Sequence, residues 1–149
     1  MNGFSYDGNW ENNKPNGYGA ETYSDGSRYD GEFMDGLKHG KGNFHWNDGR
    51  KYVGEFREGY MHGKGLLTKG NGVFDGYFER NEKVEGQMTT EFGRYKGKFV
   101  RGMMEDEHGL FEWNDGKVYE GPFRANKLHG KGKITFKGGQ VAEGEWIDG

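Results

Sequence analysis

Tyr29-Asp30-Gly31-Glu32-Phe33-Met34-Asp35-Gly36-Leu37-Lys38-His39-Gly40-Lys41-Gly42 is the stretch from which the rest of this chain is copied. Moved on by 23 residues it becomes Tyr52-Val53-Gly54-Glu55-Phe56-Arg57-Glu58-Gly59-Tyr60-Met61-His62-Gly63-Lys64-Gly65. It returns between Tyr119 and Gly132, closing again on His129-Gly130-Lys131-Gly132. A fixed period in the twenties is the signature of a repeat architecture, and it governs every later reading. Repeats start at Tyr6, Tyr29, Tyr52, Phe74, Tyr95 and Tyr119, and a half repeat runs from Ala142 to the end of the 149 residues, so residues 1–149 read as one array. Repeats four and five, residues 74–118, are degenerate copies. Asn81 stands for the turn glycine and Val84 for a strand glycine, and Asp106-Glu107 replaces the His-Gly pair. Repeat five also carries one extra residue, which the sequence places in an enlarged acidic turn, Met103-Met104-Glu105-Asp106-Glu107.

Each unit reads as two short strands. Tyr29–Phe33 alternates, Asp35-Gly36 is a hairpin signal, Gly40–Trp46 alternates again, and Asn47-Asp48-Gly49 turns the chain back. Asp-Gly and Asn-Gly between alternating segments mark tight hairpins because such turns need positive φ. No segment holds a 3.6-residue period long enough for a helix. The expected fold is therefore all-β: an elongated, twisted, single-layer antiparallel meander of about 6.5 hairpins and some 13 strands.

Side chains alternate across a strand, so parity assigns the faces. Carried through the repeats, it puts 19 of the 24 aromatics on one face, leaving Phe4, Tyr18, Tyr60, Tyr77 and Phe92 outside the pattern. Glycines alternate with those rings. Without Cβ they let a neighbouring ring lie on the backbone and let the sheet twist and bend, so rings are expected on its concave side. Pro122 occupies the position of Glu32 and Glu55 and cannot donate a ladder bond, which predicts a bulge or weakened pairing there.

Composition narrows the function classes. Aliphatic residues are few, so the 24 aromatics must supply burial, each removing about 150–250 Å² from water. Basic and acidic residues are 21 and 24, well mixed, for a net charge of −3. That balance gives no bulk attraction to nucleic acid or anionic lipid. The absence of cysteine excludes disulfides and thiolate metal sites. No apolar run approaches the roughly 20 residues of a membrane span, and Met1–Phe4 lacks the apolar stretch of a secretory leader.

The iterated pattern Tyr-x-Gly-x-Phe/Trp, then Gly, then His-Gly-x-Gly, then Asp-Gly resembles the MORN (membrane occupation and recognition nexus) repeat. The resemblance spans residues 6–149, strongest in repeats one, two, three and six. It implies a solenoid-like sheet of stacked hairpins acting as a cytoplasmic scaffold, often at cytoskeletal, ciliary or membrane-associated structures. It also implies that some members bind an extended partner segment along an aromatic groove and some dimerise. Others serve as regulatory arrays beside catalytic domains, and nothing here matches those domains.

Several sharper readings compete. Serines are three and the carboxylates recur with the repeat, as cross-strand partners do (Glu32 with Lys41), so no enzyme chemistry and no cofactor is expected. His39, His62 and His129 recur too, but equivalent positions lie about 10 Å apart, too far to share one metal ion. His39-Gly40-Lys41-Gly42 has no helix behind it to cradle phosphate. Lys41, Lys64 and Lys131 form a sparse ladder diluted by acids, which leaves a phospholipid surface as the alternative partner. An uncovered aromatic face favours a protein partner. The candidate contacts are Trp10, Tyr29, Phe33, Trp46, Tyr52, Phe56, Phe78, Phe99, Trp113, Phe123 and Trp146. Phe56→Glu is then expected to weaken partner capture, and changes at Lys64 to matter mainly for lipid. Terminal strands near Tyr6 and Trp146 offer free edges to a second copy.

Overall fold

The computed structural model describes residues 5–147. Its strands are β1 (Ser5–Glu11), β2 (Lys14–Thr22), β3 (Arg28–Met34), β4 (Leu37–His45), β5 (Lys51–Arg57), β6 (Tyr60–Lys69), β7 (Gly72–Glu79) and β8 (Glu82–Thr89). The chain goes on through β9 (Gly93–Val100), β10 (Met103–Met104), β11 (Asp106–Trp113), β12 (Val118–Arg124), β13 (Lys127–Leu128), β14 (Gly130–Thr135) and β15 (Val141–Trp146). They form a single open antiparallel sheet in meander order. The short β10 and β13 lie off the main path, as tip pieces pairing with β9 and β12. The 13 strands on that path are the number expected from the repeats. By contact density the chain divides within β7. One unit holds residues up to Gly70 with Tyr77–Asn81, the other Asn71–Gly76 with Glu82 onward.

The hairpin turns follow the sequence closely. Positive φ falls on both turn residues in every repeat, at Asn12-Asn13, Asp35-Gly36, Glu58-Gly59, Arg80-Asn81, Arg101-Gly102 and Ala125-Asn126. Asn81, at φ 71°, does the work of the missing glycine, and even Ala125 is held at 49°. A non-glycine residue at such φ is strained, so the pairing of the flanking strands imposes it.

A second feature was not expected as a general one. The register of each regular hairpin slips between its glycine and its second aromatic, at Gly8/Trp10, Gly31/Phe33 and Gly54/Phe56. The bulge is therefore part of the repeat and not a peculiarity of Pro122, where the expected break in pairing is also seen: the hairpin ladder of β12 stops at Glu120 and resumes at Phe123. Glu32 does not pair with the Lys41 side chain either. Its carboxylate accepts the Lys41 backbone N–H at 2.5 Å, and Glu55 accepts that of Lys64 at 2.7 Å. A carboxylate at this position satisfies an amide that the bulge removes from the ladder.

Repeat five solves the same problem from the other strand. Asp106 on β11 accepts the Lys98 N–H at 3.0 Å, and the register slips between Asp106 and Gly109. The extra residue thus sits in the bulge. The hairpin turn keeps its two residues, and Met103-Met104 pairs with Val100 and Phe99, so the enlarged acidic turn is also corrected. In repeat six Pro122 brings no carboxylate. There the second strand breaks into β13 and β14 at His129, whose N–H donates to the Pro122 carbonyl at 3.1 Å.

The bulge also receives the core tyrosine. Tyr29, Tyr52, Tyr95 and Tyr119 are buried, and their hydroxyls donate to the carbonyls of Glu32, Glu55, Lys98 and Pro122 at 2.7–3.0 Å. The ring crosses the glycine of the facing strand. A Cβ on Gly42 or Gly65 would stand 2.3 Å from a tyrosine atom. This close approach is what the recurrent glycines make possible.

Candidate functional site

The rings of the aromatic face fall into two rows, and only one is accessible. The first row is the tyrosine that opens each repeat and the aromatic four residues on. In the first unit Tyr29 meets Phe33 and Phe56 edge to face at 5.0 Å, and Tyr52 meets Phe56 and Phe78 at 5.0 and 5.2 Å. In the second unit Tyr95 meets Phe99 and Phe123 at 5.2 and 5.0 Å, and Tyr119 meets Phe123 and Trp146, each at 5.2 Å. Rings at 4.5–7 Å and near-perpendicular gain about 0.5–1.5 kcal/mol beyond area burial.

This ladder settles the place of most candidate contacts. Tyr29, Phe33, Tyr52, Phe56, Phe78, Phe99 and Phe123 are all buried, none more than 5 % exposed, and they form the core. They are corrected from partner contacts to structural residues. Phe56→Glu would place a carboxylate in that core, so it reports on folding and not on capture. Trp46, Trp113 and Trp146 are half-buried, and Trp10 is 58 % exposed. Of the aromatics that parity left off the face, Tyr18, Tyr60, Tyr77 and Phe92 are exposed. Phe4 lies outside the described residues.

The second row comes from the later strand of each hairpin and stays half open. In the first unit Phe44 lies 4.7 Å from Trp46 and 5.9 Å from Tyr23, with the Arg50 guanidinium 4.7 Å over the Trp46 ring. In the second unit Phe111 lies 4.9 Å from Trp113, with the Lys117 ammonium 4.5 Å over that indole. The backbone N–H of each Trp donates to a carbonyl across the Asn-Asp-Gly turn, Trp46 to Arg50 and Trp113 to Lys117, which fixes the turn beside the ring. Tyr23, Phe44 and Phe111 were not singled out from the sequence. Their signal is position: they follow the glycine of the second strand, where no ring of the first row covers them.

Lys38 gives the first unit a further feature. Its Nζ lies 5.5–5.7 Å from the centroids of Tyr23, Tyr29 and Phe44. Burial lowers its pKa, and the Glu21 charge partly restores it. Glu21 is itself buried and accepts the Tyr23 hydroxyl at 2.7 Å. Burial, with that bond, raises the Tyr23 pKa. The core tyrosines 29, 52 and 95 shift the same way, first through burial and then through Glu32, Glu55 and Asp106. Among the described residues no group of three His, Asp or Glu could hold a metal ion.

The opposite face is charged and carries the larger hollows. One of about 960 Å³ in the second unit is flanked by Glu120, Lys131, Lys133, Glu143 and Glu145, and one of about 530 Å³ in the first by Lys41, Glu55 and Lys64. On the ring side of the second unit the hollow beside Trp113 is about 300 Å³. The hollows on the charged face are wider and shallower, and the one beside Trp113 is smaller and more enclosed.

A ring on a glycine pair, a bulge and a two-residue turn at a 23-residue spacing together identify the repeat. The family model described as MORN repeat matches residues 6–28, 29–49, 52–74, 95–118 and 119–141. The chain belongs to the MORN repeat family. Residues 75–94, most of repeat four, lie outside the matched segments although they fold into β7 and β8. The MORN repeat is a non-catalytic module found in protein- or membrane-binding scaffolds. No curated protein matches this chain. Among the described residues no helix is long and apolar enough to cross a membrane.

Proposed function

We propose that this MORN array is a non-enzymatic scaffold that holds a segment of a partner protein against the half-open second row of rings. The observation that carries this reading is the split of the aromatic face: the first row is consumed by the core, while Phe44-Trp46 and Phe111-Trp113 keep an apolar edge in solvent. Tryptophan and tyrosine anchor interfaces because they offer large rigid area at low entropic cost. Family membership supports placing such a scaffold in a cytoplasmic, cytoskeletal or ciliary assembly. On the charged face Lys41 and Lys64 flank Glu55, and Lys133 pairs with Glu120 at 3.3 Å, so lipid headgroups meet a diluted positive field there.

Affinity capture from the native source, comparing the chain with Trp46→Ala, Trp113→Ala and a Lys41→Glu/Lys64→Glu pair, tests the reading. A defined protein lost at least tenfold with either tryptophan variant, and kept by the lysine pair, is the expected result. Recovery of phospholipid alone, lost with the lysine pair, overturns it in favour of a membrane-associating module.

A further inference from the structure

Repeat four departs from the pattern where the second row should pass through it. In repeats one, two, five and six one slot, defined by a backbone N–H that donates across the turn, holds a ring: Tyr23, Trp46, Trp113 and Phe136; repeat three has Lys69 there. In repeat four that slot holds Thr90, whose N–H donates to the Gly93 carbonyl at 2.8 Å. The neighbouring slot, filled by Phe44 opposite Tyr52 and Phe111 opposite Tyr119, holds Met88 opposite Tyr95. A ring is missing from the first slot, and the second, which holds Phe44 and Phe111 in repeats two and five but Glu21, Leu67 and Ile134 in the others, here holds a flexible thioether. The space left is the hollow of about 300 Å³, lined by Met88, Thr90, Met104, Phe111, Trp113 and Leu128, with Phe92 at its rim. Phe92 is 67 % exposed.

We propose that this hollow is a subsite that takes one aromatic side chain of the partner segment, which stands in for the ring that Thr90 lacks. This rests on the partner-binding reading and names the chemistry its second unit selects. Three observations favour that occupant. The hollow is at the small end of ligand-site volumes, suited to one large side chain. Its lining holds no carboxylate, whereas in the first unit the corresponding position carries Lys38 with Glu21 close by, so a cation would find no counter-charge. Two methionines in its wall, Met88 and Met104, adapt to irregular aromatic shapes and make favourable sulfur–ring contacts. The Thr90 hydroxyl has a local role, since it accepts the Phe92 N–H at 3.1 Å in the shortened turn. That role explains a hydroxyl at 90. It does not explain a methionine at 88 or an exposed phenylalanine at 92.

Methyl-labelled methionine gives a direct readout in the intact chain. Met88 and Met104 report on the hollow, while Met34 and Met61 serve as internal controls. Titration with the pentapeptide Gly-Gly-Phe-Gly-Gly is expected to shift the Met88 and Met104 methyls saturably and leave Met34 and Met61 in place. Gly-Gly-Ala-Gly-Gly is expected to shift none. Thr90→Trp restores the ring and should weaken the phenylalanine response at least tenfold. Met88→Phe, which narrows the hollow without touching the turn, should also weaken it. Far-UV circular dichroism and a urea midpoint matching the parent show that each variant is folded. No shift up to the solubility limit, an unchanged affinity in both variants, or a response to decanoate in place of the peptide would each overturn the proposal. Partner capture lost in the tryptophan variants and kept in Thr90→Trp would overturn it while leaving the scaffold reading intact.

Discussion

Repeats two and three and repeats four and five use one backbone plan with different chemistry at its weak point. In the regular pair, Glu32 and Glu55 cross the hairpin to the amides of Lys41 and Lys64, and a tyrosine hydroxyl reaches back to the carbonyl of the same glutamate. Repeat five reverses the direction, with Asp106 reaching the Lys98 amide. Repeat four opens on Phe74, which has no hydroxyl to donate, and is one residue shorter between its turn and Gly86. The array tolerates these changes because each hairpin buries its ring against immediate neighbours only, so a defect stays local. Degeneracy in the motif is therefore compatible with an intact strand order, and it frees positions such as 88 and 90 from the packing that fixes their counterparts.

The largest way to stress this plan is alkali. The core tyrosines are neutral in the fold, and burial holds their ionisation above the ordinary value of 10.0. Below that pH both folded and unfolded chains keep the proton and nothing is lost. Above it the unfolded chain ionises while the folded one does not, so stability falls as pH rises, by about 1.4 kcal/mol per pH unit for each such tyrosine. Several tyrosines acting together predict steep unfolding above pH 10, followed by far-UV circular dichroism. Tyr52→Phe should flatten that dependence by one tyrosine's share. A Phe74→Tyr change adds one more ionisable ring to the buried row, and it should steepen the dependence by one tyrosine's share.

The next largest effect separates glycines that hold a ring from those that do not. A Cβ on Gly65 would lie 2.3 Å from Tyr52 atoms, so Gly65→Val must expel the ring and should cost about 3–5 kcal/mol, as the loss of a core aromatic does. Gly144 has in the half repeat the place of Gly54, whose Cβ would stand 2.8 Å from the Tyr52 hydroxyl, but Ala142 stands where the tyrosine would be and nothing lies within 4 Å of its missing Cβ. Gly144→Ala should change stability by less than about 0.5 kcal/mol. Urea unfolding with matched slopes measures both. Equal losses at the two sites would refute the ring-on-glycine account of the fold.

How much of this was legible in the sequence depends on the range of the interaction. The turns were legible because positive φ is a local demand, met by Asp35-Gly36 and even by Arg80-Asn81. The faces were legible because parity is local too, and Tyr18, Tyr60, Tyr77 and Phe92 were correctly set apart as exceptions. The bulge was not legible. A carboxylate at Glu32 reads as a charge facing Lys41, and nothing in the spacing says that its partner is the backbone amide. Nor was the division of the rings into buried and open rows. Phe56 and Trp46 share a face and a residue class. They differ in that Phe56 has a tyrosine of its own repeat and of the one before on either side, which only the register of neighbouring hairpins reveals. Thr90 was readable as a departure from Trp46 and Trp113, although its consequence, a hollow between two hairpins, was not.

The smallest effect tests whether the first unit's substitute for a regular ring pair is a unit in itself. Repeat one places Glu21 in the slot that holds Phe44 in repeat two, and Lys38 lies over the same rings, where repeat three has Met61. Lys38→Met alone keeps the apolar stem and removes the cation, leaving the Glu21 carboxylate buried with only the Tyr23 hydroxyl. Glu21→Phe alone restores the ring and strands the ammonium, which burial already disfavours. Each single change should therefore cost more than its share, because a buried charge that loses its counterpart is left uncompensated. The double variant Glu21→Phe/Lys38→Met, which rebuilds the regular chemistry, should recover most of the loss, with a coupling of about 1 kcal/mol. Stability of the parent should also rise slightly with pH as Lys38 loses its proton, since its folded pKa lies below the unfolded value. That rise should vanish in the double variant. Additive single changes would mean that Glu21 and Lys38 contribute independently and that the cation over the rings is not coupled to the buried carboxylate.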